Sequence, residues 1–317
     1  MHLRSVTAFL VITALASSGC SNDETTTSND SSSSSSETSS EIASGRPYAV
    51  DQRTETFVDS TRPTVGADGT ALTASRTLET EIYTPQGKGP FPLIVHAHGL
   101  SGHPDKFTEL ASGWVSNGYV VAMPEFPLTS NQAPGGTVIA DYVNQPDDVS
   151  FVIYQLLTLS EDQADPLAGM IDPNRIGVSG LSLGGGTVWA LVSHSCCRDP
   201  RIKAAIVMSG LRFPFEGTDD FTNPPVLLEH LTGDTSFAYE TAVEPYKQAR
   251  APKFLITLIG TGHGGPFENT PSPHDQIATN TTLEFWDAWL LGDETAVDRL
   301  LAAAEVPDLS RIEHDLG

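Results

Sequence analysis

One stretch constrains this chain more than any other: Asn174-Arg-Ile-Gly-Val-Ser-Gly-Leu-Ser-Leu-Gly-Gly-Gly186. Ile176 to Val178 read as a short buried strand, and Gly180-Leu181-Ser182-Leu183-Gly184 has the pattern G-x-S-x-G. Thr187 to Ser193 then carries Val188, Leu191 and Val192 at helical spacing. A strand that runs through such a pentapeptide into a helix is a nucleophile elbow. The chemistry explains the glycines. The serine has to sit in a strained turn so that its hydroxyl projects clear of the sheet. Residues two before and two after it must lack side chains, because strand and helix cross there. The helix N-terminus behind Ser182 also favours negative charge developing nearby. The bare pentapeptide is a weak signal, and the flanking strand and helix strengthen it.

The first 45 residues are read apart from the rest. Arg4 precedes an apolar run, Val6 to Ala16, which is too short to span a bilayer and reads as a signal peptide over residues 1–19. It ends at Ala16-Ser-Ser-Gly-Cys20, which is similar to the lipobox of bacterial lipoproteins and makes Cys20 the expected lipidation site. Secretion with a nearby cut is the alternative. Residues 20–45 hold the run Ser31 to Ser36, five acids and no Lys or Arg. They cannot bury enough apolar surface to fold, and read as a disordered tether. The expected protein is therefore exported, at the cell surface or secreted, with a catalytic domain over residues 46–317.

Charge narrows the partners. Lys and Arg number 17 against 40 Asp and Glu, a net −23, which argues against nucleic acid and against anionic lipid. Membrane contact is expected only through the anchor at Cys20, and the chain is expected to be monomeric. Besides Cys20, the cysteines are the vicinal Cys196–Cys197, either disulfide-bonded or free thiols. Their spacing does not suggest a metal site, and no metal or cofactor is expected.

Along the domain, apolar runs alternate with amphipathic ones. Thr70 to Tyr83 reads as extended strands, Leu93 to Ala97 as a buried strand, Lys106 to Asn117 as a helix stopped by Gly118, and Tyr119 to Met123 as a strand. A Pro- and Gly-rich loop, 124–146, leads to a helix capped by Asp147 or Asp148. After the elbow come strands at Ala204–Met208, Pro225–Leu231 and, last, Lys253–Ile259. Helices are expected at Tyr239–Ala249, Thr281–Leu291 and Glu294–Ala304. Apolar strands separated by helices imply a single α/β domain, its mostly parallel sheet covered on both faces.

Reactive groups in such a sheet gather beyond the carboxyl ends of the strands. Thr232-Gly-Asp234 follows one strand and Gly260-Thr-Gly-His263 the next. Ser…Asp…His is the chain order of the α/β-hydrolases. Ser182 is thus the expected nucleophile, His263 the general base and acid, and Asp234 the group that orients the imidazole. Asp219, Asp220 and His274 compete for these roles. His96 and His98 alternate on a strand, point to opposite faces, and are expected to pack around the turn at Gly99. The backbone N–H groups of Leu100 and Leu183 are the expected oxyanion hole. The loops 124–146 and 211–224 should wall the pocket, with Phe126, Phe213 and Phe215 forming an apolar acyl site.

Several segments carry a family resemblance: Gly89 to Gly99, Asp172 to Gly185, Asp199 to Ala204, Gly233-Asp234 and Gly262-His263. Across roughly residues 70–305 the chain resembles the α/β-hydrolase group. That group contains dienelactone-hydrolase-like proteins, platelet-activating-factor acetylhydrolase-like esterases and cutinase-type polyester hydrolases. The resemblance implies a serine carboxylic-ester hydrolase acting on a small or polymeric ester. The chain departs from dienelactone hydrolases in having Ser182 where they use cysteine. It has Leu100 where polyester hydrolases often carry an aromatic residue. A peptidase or amidase on the same triad, and an inactive fold used for binding, are the alternatives.

Overall fold

The runs that read as unbroken apolar strands form the middle of one sheet. A computed structural model describes residues 46–317, so the signal peptide, Cys20 and the tether lie outside the described residues. The strands are β1 (Val50–Asp59), β2 (Thr64–Val65), β3 (Ala71–Thr73), β4 (Arg76–Pro85), β5 (Phe91–Ala97), β6 (Val120–Pro124), β7 (Ile171–Leu181), β8 (Ile202–Met208), β9 (Val226–Asp234), β10 (Lys253–Gly262) and β11 (Ser310–Asp315). The α-helices are α1 (Thr108–Ser116), α2 (Gln145–Glu161), α3 (Leu183–Ser193), α4 (Glu240–Gln248), α5 (Asp275–Trp286) and α6 (Ala296–Ala304). Nine strands form the main sheet in the order β1-β4-β6-β5-β7-β8-β9-β10-β11, and β2 and β3 form a small hairpin. From β6 to β10 the neighbours are parallel, whereas β4 and β11 run antiparallel to the strands they flank. The chain is an α/β domain with a large, mostly parallel mixed sheet.

Both faces are covered, and β7 carries the proof. A Cβ built on Gly177 would lie 2.7 Å from Trp286 of α5, and one built on Gly180 would lie 2.4 Å from Gly184 of α3. Positions 177 and 180 point to opposite faces of a strand, so α5 and α3 lie on opposite sides. Every residue of β5 and β6 is buried, as parallel strands beneath helices require. No helix among the described residues is long and apolar enough to cross a membrane.

Three expectations need correction. Lys253–Ile259 is not in the last strand, because β11 (Ser-Arg-Ile-Glu-His-Asp) pairs antiparallel outside β10. As an edge strand it is polar, so it has no apolar run to reveal it. Asp147 and Asp148 do not cap α2, which begins at Gln145 with Pro146 in its first turn. The helix expected over Thr281–Leu291 begins at Asp275, after the Pro-rich stretch, and passes into a π-type turn at Asp287–Leu291.

Asp148 is instead buried beneath β4. The Arg76 guanidinium donates to Asp148 Oδ1 and Oδ2 at 2.8 and 2.6 Å, and to Asp141 Oδ1 and Oδ2 at 3.0 and 2.9 Å. All three side chains are essentially inaccessible. Removing the cation would leave buried Asp141 without a cation and buried Asp148 with only the partly exposed Arg62, 2.9 Å from its Oδ1, a loss of about 3–5 kcal/mol. Arg76→Met should therefore lower the unfolding free energy in urea by that amount, and a loss below about 1 kcal/mol would show that the cluster does not anchor this region.

Candidate active site

Ser182 sits at φ 59°, ψ −115°, where a side chain is strained, at a cost of order 1–3 kcal/mol. Two close approaches and a backbone hydrogen bond fix it there. Gly180 has no room for a Cβ against Gly184, and a Cβ on Gly184 would lie 2.0 Å from the Ala97 carbonyl oxygen at the end of β5. The strand and helix thus cross where the glycines let them. The Ser182 N–H donates to Met208 O at 2.9 Å, which ties the turn to the end of β8.

The turn after β5 lies against the serine: a Cβ on Gly99 would come within 3.1 Å of Ser182 Cβ and 3.6 Å of its Oγ. His98 holds this turn from below. Its Nδ1–H donates to Gly99 O at 2.7 Å, and its Nε2 accepts the Phe126 N–H at 3.1 Å. Burial pushes the His98 pKa down to about 4, so the ring stays neutral. His96 packs on Phe107 and meets Ser179 Oγ at 2.9 Å, its pKa pushed down by burial to about 3. Both rings are packing groups around the turn. Among the described residues, the N–H groups of Leu100 and Leu183 have no hydrogen-bond acceptor. As the first residue of α3, Leu183 has no intrahelical partner to donate to.

Asp234 and His263 meet because β9 and β10 are paired in register, with Gly262 opposite Asp234. The His263 Nδ1 lies 3.0 and 2.8 Å from Asp234 Oδ1 and Oδ2. The carboxylate is inaccessible to solvent, and Oδ1 also accepts the N–H groups of Ser236 and Phe237 at 2.8 and 2.9 Å. Burial raises the Asp234 pKa, but the Phe237 N–H, the His263 ring and the Ser236 N–H together more than offset it. The carboxyl stays below its usual range. With Nδ1 committed to Asp234, the His263 Nε2 is the nitrogen left to exchange a proton. The Ser209 Oγ donates to the His263 carbonyl at 3.2 Å, just beyond the β8 end to which Ser182 is tied. No hydrogen bond joins the Ser182 hydroxyl to His263 among the described residues.

The competitors are engaged elsewhere. Asp219 pairs with Arg212 and Asp220 with Arg198, at 2.8 and 2.7 Å. His274 is buried, its Nε2 3.1 Å from Ile259 O. Of the expected pocket aromatics, Phe126 is wholly buried under His98, so it offers a substrate no surface. Phe213 lies over Gly186 of the elbow helix and packs on Tyr142. Phe215 faces a different cleft, beside His194 and the Cys196–Cys197 disulfide. Sequence reasoning missed two groups around the pair. The Phe237 ring stands edge-on to His263 at 5.5 Å. His230 is buried on β9, its Nε2 3.3 Å from the Phe237 carbonyl and 3.7 Å from Asp234 Oδ2. The signal for His230 is its spacing, since residues 230 and 234 share a strand face. Phe237 has none, because it sits in the turn that follows.

No family model matches this chain. Over 126 residues it is 29% identical to the quorum-quenching protein AidA of Acinetobacter baumannii (strain MDR-ZJ06), a match covering 39% of this chain. The match spans 37% of that protein's length, little more than a third.

Proposed function

We propose that this chain is a serine hydrolase on the α/β-hydrolase fold that cleaves carboxylic esters through an acyl-enzyme. One observation carries this reading. A strained, half-buried serine on an elbow after β7, and a histidine oriented by an inaccessible aspartate at the ends of β10 and β9, lie beyond the carboxyl ends of parallel strands of one sheet. Ser182 Oγ attacks the ester carbonyl while His263 Nε2 takes its proton, and the charge on the imidazolium is offset by Asp234. The tetrahedral oxyanion receives the N–H groups of Leu183 and Leu100. His263 then returns the proton to the leaving alkoxide, and a water activated in the same way releases the acid. The 29% likeness to a quorum-quenching protein adds diffusible signalling molecules to the substrates worth assaying. A lactone suits the same chemistry, because ring opening passes through the same acyl-enzyme.

The test is a p-nitrophenyl ester series from acetate to palmitate, with a lactone and a matched anilide alongside. Turnover of esters at rates at least about 10²-fold above the anilide supports the reading. Preference for the anilide would replace it with an amidase, and no turnover of any member would refute it.

His230 acts within this reading as a positioning residue, holding the Phe237 carbonyl and so the turn whose N–H groups grip Asp234. His230→Leu should lower kcat by about 10- to 100-fold with KM little changed, as small misplacements of reacting groups do. His230→Gln, which keeps a donor, should recover part of the loss. A change confined to KM or to thermal stability would rule out the positioning role.

A further inference from the structure

Away from Ser182, where α3 ends, His194 and the vicinal cysteines cluster in a way that the proposed ester chemistry does not use. The ligand atoms of His194, Cys196 and Cys197 all lie within 4.8 Å of one another. The His194 Nδ1 is 3.1 Å from Cys196 Sγ and accepts the Cys196 N–H at 3.4 Å. That nitrogen thus faces Cys196. The ring is buried and packs against Phe215 at 5.7 Å. Its backbone is pinned as well. Residue 194 bridges to Asp219, the Ser195 N–H donates to Thr218 O at 2.9 Å, and the Thr218 N–H donates to Ser195 Oγ at 3.0 Å. A second, independent feature is charge. The cysteines line a cleft of about 600 Å³ whose charged wall residues, Asp147 and Glu216, are both acidic.

We propose that the reduced Cys196–Cys197 pair and His194 bind a thiophilic divalent cation of the zinc class. Two thiolates and one neutral imidazole make a three-ligand set of the kind zinc takes, leaving a fourth position to solvent on the exposed Cys196 side. The structure holds the oxidised form, in which Cys196 and Cys197 are joined. Opening that bond takes two electrons and two protons, which a phosphine supplies in water while being oxidised to its oxide. The cation then displaces both thiol protons as the metal–sulfur bonds form. Disulfide and cation therefore exclude each other, and the site is gated by the redox state of its surroundings.

The experiment uses the full-length chain carrying Cys20→Ser, reduced with a phosphine under anaerobic conditions and titrated with Co²⁺. The reduced protein should develop thiolate-to-cobalt charge-transfer and tetrahedral d–d absorption, saturating near one equivalent and bleached by Zn²⁺. The oxidised protein should develop neither. His194→Ala should weaken binding about tenfold or more, and Cys196→Ser, at an exposed position, should abolish the charge-transfer band. Absence of the bands in reduced protein, equal binding by oxidised protein, or unchanged affinity in folded His194→Ala would each overturn the proposal. Should His194→Ala fail to fold, the Cys196→Ser and oxidised-protein arms decide the outcome.

Discussion

Ser182→Ala should lower kcat/KM for p-nitrophenyl acetate by about 10⁴- to 10⁶-fold, the range seen when the nucleophile of a serine hydrolase is removed. The fold should survive. Alanine keeps the Cβ, so the residue meets the same backbone strain at φ 59° and the same neighbour at Gly99. The lost hydroxyl has no hydrogen-bond partner among the described residues, so nothing buried is left unsatisfied. Unfolding free energy should stay within about 0.5 kcal/mol of the parent. A variant that keeps its rate to within tenfold would move the nucleophile away from the elbow.

The second large effect falls on the acid. Asp234→Asn should cost about 10⁴-fold in kcat. The asparagine oxygen can still accept the Ser236 and Phe237 N–H groups, which leaves its amide nitrogen facing His263. That nitrogen donates, so the imidazole must accept at Nδ1 and carry its proton on Nε2, where it cannot take one from Ser182. Asp219→Asn and Asp220→Asn should change kcat by less than about twofold, since their carboxylates pair with Arg212 and Arg198 rather than with His263. If either proved the crippling change, Asp234 would not be the orienting acid. The same carboxylate predicts a pH effect. Its folded pKa is depressed, so its contribution to stability is complete above the ordinary carboxylate value of ~3.9 and is lost as pH falls through the lower folded value. Between pH 4 and 2, urea unfolding of the parent should lose stability that Asp234→Asn, having no such titration, does not lose. Parallel pH profiles would contradict the pairing.

What could be read from residues alone follows from where each signal comes from. The strands around the site are buried on both faces over most of their length, so burial writes those parts as apolar runs. For that reason β5, β6, β8, β9, β10 and the Ile176–Val178 part of β7 were legible, whereas the polar first half of β7, from Asp172 to Arg175, was not. The edges β1 and β11 face water and carry charge, so their composition resembles that of loops; pairing with β4 and β10 makes them strands. At the elbow, strand and helix approach too closely for side chains, and that steric demand is visible as Gly180 and Gly184. The Asp234–His263 contact was inferable from chain order because parallel register sets consecutive strand ends side by side. Phe126 misled because an aromatic residue in a loop has the same sequence signature whether it faces a pocket or packs beneath a turn. The three-dimensional course of 124–130 under His98 decides between them. Asp148 misled for a related reason. An acid in the first turn of a helix resembles a cap until Arg76, 72 residues earlier, is brought against it.

The measurement closest to the central claim is covalent labelling of wild-type protein with a fluorophosphonate, followed by digestion and mass mapping of the adduct. The serine-hydrolase reading predicts a single phosphonate on the peptide containing Ser182, lost in Ser182→Ala and much slowed in Asp234→Asn. A folded protein that takes no label, or takes it on a serine other than Ser182, would contradict it.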